Sequence, residues 1–138
     1  TNSIVGKLLN DHVNSYKNKH LKNFKEIEKK LLKKENELMM KKNIIDDIEF
    51  KNKLQVLKEE IKNYNQKRNE SNAKINKIKI EGTKKILVYL DPLIKNYVED
   101  NSISIVLPKK NIIVGRKNLD ITDIIINDLN NNIKTIDF

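Results

Sequence analysis

"LQVLKEEIKNYNQKRNESNAKINKI" spans Leu54–Ile78 and decides the fold. Leu54, Leu57, Ile61, Tyr64, Arg68, Ser71, Ile75 and Ile78 step by three and four residues without a break. Such a stripe lies on one side of an α-helix and repeats as the a and d positions of a coiled coil. Everything off the stripe is polar or charged apart from Val56 and Ala73, so one narrow face packs and the rest meets solvent.

Upstream, Ile4, Leu8, Leu9, Leu21, Phe24, Ile27, Leu31, Leu38 and Ile45 form a second periodic run. Ser3 is a suitable N-cap for it, because its hydroxyl can accept from an unpaired helical N–H. Between the runs "NIIDDIEF" (Asn43–Phe50) breaks the pattern. Asp46 followed three places on by Glu49 is a capping-box spacing and predicts a helix start near Asp47. Two long helices joined by so short a connection fold back as an antiparallel hairpin. The expected organisation is a helical arm over residues 1–90 with its tip near 43–47. A small body over 91–138 follows, completed by the start of the first helix.

The body reads differently. Ile86, Leu90, Leu93, Ile94 and Tyr97 continue a helical face, and Asp91–Pro92 is expected to kink or restart it. Ile103, Ile105 and Leu107 alternate with Ser102, Ser104 and Val106, which predicts a strand over Ser102–Leu107. A second strand over Asn111–Val114 would complete a β-hairpin ended by Gly115. Asp120, with Asp123 and Thr122 behind it, is a cap for a short final helix carrying Ile121, Ile124, Ile125 and Leu129 on one face. The expected fold class is therefore α+β: a long basic antiparallel helical hairpin on a small strand-containing oligomerisation body. Two strands and one short helix are too little to stand alone. Ile103, Ile105, Ile112, Ile113, Ile121 and Ile125 are the expected interface with other copies.

Charge is unevenly placed. The 138 residues carry a net charge of +9, yet Lys17–Lys85 alone holds 21 basic and 11 acidic residues. The excess is either a solvated helix face or an electrostatic surface for nucleic acid, anionic lipid or an acidic polypeptide. Nucleic acid is not the expected partner. Arginine is confined to Arg68 and Arg116, and no helix-turn-helix, RNA-recognition or zinc motif is visible. Catalysis finds no support either: there is no phosphate loop, no nucleophile–base set and no metal-ligand cluster, so neither a cofactor nor a metal is expected. His12 and His20 stand alone on one helix. The absence of cysteine rules out disulfides and thiolate sites. No stretch has the length and apolarity of a bilayer span, and "TNSIVGKLLN" is not a secretory signal.

The hairpin, "ISIVL" (Ile103–Leu107), "NIIVG" (Asn111–Gly115) and above all "LDITD" (Leu119–Asp123) together resemble the Skp, or OmpH-like, family of periplasmic chaperones. "NSIVGKLLN" (Asn2–Asn10) is similar to the segment that opens the family's first helix. The resemblance implies a homotrimer in the periplasm whose tentacles enclose unfolded outer-membrane proteins without ATP. It also implies a strand preceding Asn2–Ser3, which the chain begins too late to contain. On this reading Lys29, Lys33, Lys41, Lys51 and Lys62 attract acidic clients. Met39, Met40, Ile44, Ile45, Ile48 and Phe50 near the tip either seal the hairpin or offer adaptable apolar contacts. An anionic lipid or lipopolysaccharide surface is a further candidate partner. The alternatives are a basic coiled coil that binds nucleic acid and a purely structural oligomer.

Overall fold

The computed structural model describes residues 3–138; Asn2, at the head of the NSIVGKLLN stretch, lies outside them. Three α-helices carry the fold: α1 (Ile4–Met40), α2 (Asp47–Asp100) and α3 (Thr122–Asn132). Two single turns of 3₁₀-helix, Lys109–Asn111 and Lys117–Leu119, interrupt the segment before α3. The chain divides into two compact units. One joins the residues up to Val13 to Ile78–Phe138, and the other is Asn14–Lys77.

The helix starts follow from side-chain caps. Ser3 Oγ accepts from the Gly6 amide at 3.1 Å, and α1 begins one residue after it. Asp46 Oδ1 accepts from the amides of Ile48 and Glu49 at 2.9 and 2.8 Å, and α2 begins at Asp47. The reciprocal half of the capping box does not form, because Glu49 turns outward to Lys53 at 2.6 Å.

Within Asn14–Lys77 the pairing of α1 with α2 is antiparallel. Tyr16 meets Lys74, Phe24 meets Tyr64 and Lys34 meets Glu60, so rising numbers on one helix face falling numbers on the other. The seam is narrow. Leu38, Leu57 and Tyr64 are buried, whereas Phe24, Ile27, Leu31, Leu54, Ile61 and Ile75 are half-buried. Each fully buried side chain of this size contributes roughly 1.5–3 kcal/mol. Two expected seam residues fall outside it: Leu21 and Arg68 are exposed. The hydroxyl of Ser71 lies within the seam, and no buried side-chain polar atom among the described residues lacks a partner.

In the other unit Val5, Leu9, Val13, Ile125 and Leu129 form the buried core. Asn130 of α3 accepts from the Ile4 amide at 2.8 Å, so α3 satisfies one of the orphan donors at the start of α1. Gly82, in mid-α2, costs about 1 kcal/mol against alanine in an exposed helix. Its place is explained by proximity, since a methyl group there would stand 2.3 Å from Leu9 Cδ1.

One expectation is narrowed and another fails: of the kink or restart expected at Asp91–Pro92, the restart is absent. Helix α2 runs through Pro92 to Asp100 without a restart. Proline deprives only the Val88 carbonyl of its partner, and Val88 is exposed, so solvent can satisfy that carbonyl. The helix stops instead at Ser102, which has φ 53°. The Ile103 amide reaches back to the Val98 carbonyl at 2.9 Å and that of Ser102 to Glu99 at 3.2 Å, a Schellman closure. A serine in this left-handed position costs roughly 1–2 kcal/mol where glycine would not.

The expectation that fails is the fold class. There is no strand and no sheet among the described residues: the chain is all-α, not α+β. Residues Ser102–Leu107 and Asn111–Val114 have the strand alternation but no ladder. Pro108–Lys110 does turn, as 3₁₀-helix closed by the Asn111 amide on Pro108 O at 2.8 Å. A two-stranded ribbon is marginal in water unless a third strand or a helix covers one face, and Ile105, Leu107, Ile113 and Val114 are all exposed. Within one chain nothing covers them, so alternation alone does not form a sheet.

Candidate functional site

At the end of Asn14–Lys77, α1 closes into a tight connection. The Lys41 amide donates to Glu37 O and Leu38 O, and the amides of Ile44 and Ile45 donate to Lys41 O. These bonds fix the backbone and leave the side chains outside. Met39, Met40, Ile44 and Ile48 are 51, 72, 79 and 74% exposed, while Ile45 and Phe50 are half-buried. Four of the six apolar tip residues are therefore exposed, and two are half-buried.

Lysines line the two helices and the connection. Lys29, Lys41, Lys51 and Lys62 are exposed, with no acidic partner among the described residues, whereas Lys33 pairs loosely with Glu37 at 3.7 Å. Lys34 donates to both carboxylate oxygens of Glu60 at 2.6 and 2.8 Å and ties α1 to α2. An exposed pair of this kind stabilises by at most about 1 kcal/mol. Asn14–Lys77 carries 18 basic and 10 acidic residues, which is most of the chain's excess charge.

Below the tip the two helices leave a shallow groove of about 380 Å³. Leu38 and Leu57 are the buried apolar residues lining it; Val56, Lys34, Lys41, Lys53, Glu37 and Glu60 also line it. Sequence reading did not find this groove. Its lining comes from two helices, and only their register places Leu38 beside Leu57.

The expected interface residues divide. Ile105, Ile112 and Ile113 are exposed, the last completely, while Ile103 and Ile121 are half-buried and Ile125 lies in the core. Around Leu119–Asp123 the capping role of Asp120 shifts by one place. Thr122 is already helical, and Asp120 Oδ1 accepts from its amide at 3.1 Å. Asp120 Oδ2 takes the Lys109 ammonium at 2.5 Å, which pins one 3₁₀ turn to the start of α3.

Hydrogen bonds from Lys109, then from Thr122, hold the Asp120 carboxyl well below the usual carboxylate range; the bond to Asp120 raises Lys109 in turn. The sign follows. Asp120 has a depressed folded pKa, so its contribution is complete above about pH 4, its ordinary value, and fades as pH falls through the lower folded one. Lys109 has a raised folded pKa. Its contribution is complete below about pH 10 and is lost as pH rises through the folded value. The difference in melting temperature between the protein and its Asp120→Asn variant should be constant from about pH 5 to 9 and should shrink beyond both ends. A difference that grows on acidification would contradict the pair.

The histidines sit among rings. His12 lies 6.3 Å from Phe138, and His20 lies 4.3 Å from Tyr16 and 6.3 Å from Phe24. No cluster of three metal-ligating side chains occurs among the described residues, and no helix there is long and apolar enough to cross a membrane.

Paired basic helices, an exposed apolar tip and an uncovered apolar segment define a helical-hairpin protein. A family model described as outer membrane protein (OmpH-like) matches residues 1–129, and the chain belongs to that family. The fold is similar to the crystal structure of an OmpH-like protein of Caulobacter crescentus CB15 described as a candidate outer membrane chaperone. The TM-score is 0.81 at 18% identity, over 99% of this chain and 81% of that one. No curated protein matches the sequence.

Proposed function

We propose that the protein is an ATP-independent holdase of the periplasm that binds unfolded outer-membrane proteins and keeps them from aggregating. The observation that carries this reading is the exposed tip. Met39, Met40, Ile44 and Ile48 stand in solvent on a connection held by main-chain bonds to Lys41 O, with the unpaired Lys41 and Lys51 close in sequence. Of the six apolar tip residues only Ile45 and Phe50 are half-buried. Exposed apolar clusters of this kind mark interaction sites, and methionine repacks against varied partners. Membership of the OmpH-like family, and the description of the Caulobacter relative as a candidate chaperone, support the same reading.

The mechanism has two stages. Lysines such as Lys29, Lys33, Lys41, Lys51 and Lys62 raise the encounter rate with clients of net negative charge. The tip residues and the groove over Leu38 and Leu57 then hold apolar client segments by many weak contacts. Several arms acting together strengthen that hold through effective concentration. Assembly as a homotrimer supplies the arms, and the exposed segment carrying Ile105, Ile112 and Ile113 supplies the interface. Anionic lipid or lipopolysaccharide is a second partner for the same lysines.

The test is suppression of aggregation. An unfolded outer-membrane β-barrel protein diluted from urea should stay soluble at near-stoichiometric protein, equally well with and without ATP. Duplex DNA should not compete at physiological salt. Aggregation that proceeds unchanged would refute the proposal, and tight DNA binding with no effect on the barrel protein would favour a nucleic-acid function.

A further inference from the structure

Segment Ile133–Phe138 lies against α1 and α2 rather than in solvent. Ile133 continues from α3 in extended conformation (φ −135°, ψ 110°). Ile136 and Phe138 are half-buried and alternate with exposed Thr135 and Asp137. The Phe138 ring enters a notch made by the absence of a side chain at Gly82. A methyl group there would stand 3.1 Å from Phe138 Cδ1 and 2.3 Å from Leu9 Cδ1. His12 lies along the same ring at 6.3 Å. Lys85 Nζ donates at 2.7 Å to the main-chain carbonyl of Asp137, not to its carboxylate.

We propose that the groove of Leu9, His12, Gly82 and Lys85 is a docking site for extended apolar peptide, occupied in cis by Ile133–Phe138 as a displaceable strap. Three features favour a binding groove over a permanent clasp. A main-chain carbonyl is present in every peptide, so the Lys85 contact reads backbone and not sequence. The alternation of Ile136 and Phe138 is the pattern any amphipathic extended segment can copy. The hold is also thin: half-buried side chains and one exposed hydrogen bond, which an incoming segment of equal pattern replaces contact for contact. The occupant that displaces it is an unfolded client segment, and that half of the proposal rests on the holdase reading above.

The probe is a fluorescein-labelled peptide of residues 130–138 with both ends blocked, followed by anisotropy against the full chain. It should bind the Phe138→Ala variant at least tenfold more tightly than the unsubstituted protein, whose own strap competes. Adding Lys85→Ala to that variant should weaken the peptide severalfold. Ile136→Ser releases the strap independently and should give the same gain if Phe138→Ala does not fold. In the aggregation assay both released variants should protect the unfolded barrel protein at a lower molar ratio than the unsubstituted chain. Absence of peptide binding to both released variants, or measurable protection that is equal for all three proteins, overturns the proposal and leaves a structural clasp. Peptide binding with no protection by any of them keeps the groove and rejects the holdase reading instead.

Discussion

Replacing Ile113 with aspartate should turn an oligomer into a monomer. Ile113 is wholly exposed in the single chain and sits beside Ile112 and Val114, which are also exposed. Covering an isoleucine side chain in an interface contributes roughly 2 kcal/mol, and a threefold assembly counts it three times. The association constant should therefore fall by at least about four decades, and more once carboxylates are forced into an apolar contact. Light scattering at tens of micromolar should read a trimer for the unsubstituted protein and a monomer for Ile113→Asp. Ile105→Asp should act in the same direction. Ile125 makes the internal control: it belongs to the core with Leu129, so Ile125→Asp should unfold its unit rather than merely separate copies. A stable monomer before any substitution would remove the multi-arm mechanism, since one hairpin encloses nothing.

Salt should slow client capture by about tenfold or more between 50 and 500 mM. Steering by a charged surface raises association rates by roughly 10 to 10³-fold and collapses as the Debye length shortens to a few ångströms. Converting Lys29, Lys33, Lys41, Lys51 and Lys62 to glutamine removes five of the nine net charges and should reproduce the high-salt rate at low salt. The lysines are exposed, so the melting temperature should change little. Stopped-flow capture of an unfolded acidic barrel protein measures both effects. A rate that ignores salt and substitution alike would reduce the lysines to a solvated surface and leave the tip patch to act alone.

Much of the helical architecture was legible from local chemistry. The three- and four-residue steps from Leu54 to Ile78 specify a helix with one packing face, and the Asp46 carboxylate caps the start of the second helix. Such signals are local, because a helix closes its hydrogen bonds within its own chain. A strand does not, and that is where sequence reading went astray. The alternation of Ile103, Ile105 and Leu107 describes how side chains would point if a ladder existed, but the ladder needs partners that a single chain lacks. Whether Pro92 restarts the helix turns on a related point: its missing donor matters most if the Val88 carbonyl is dry, and exposure is a tertiary property. The apolar tip residues could be listed from sequence, whereas their division into two half-buried and four exposed residues is a property of the folded connection. The groove over Leu38 and Leu57 exists only because two helices meet in one register. At Gly82 only the approach of Leu9 and Phe138, residues 73 and 56 positions away in the chain, shows what a side chain would meet.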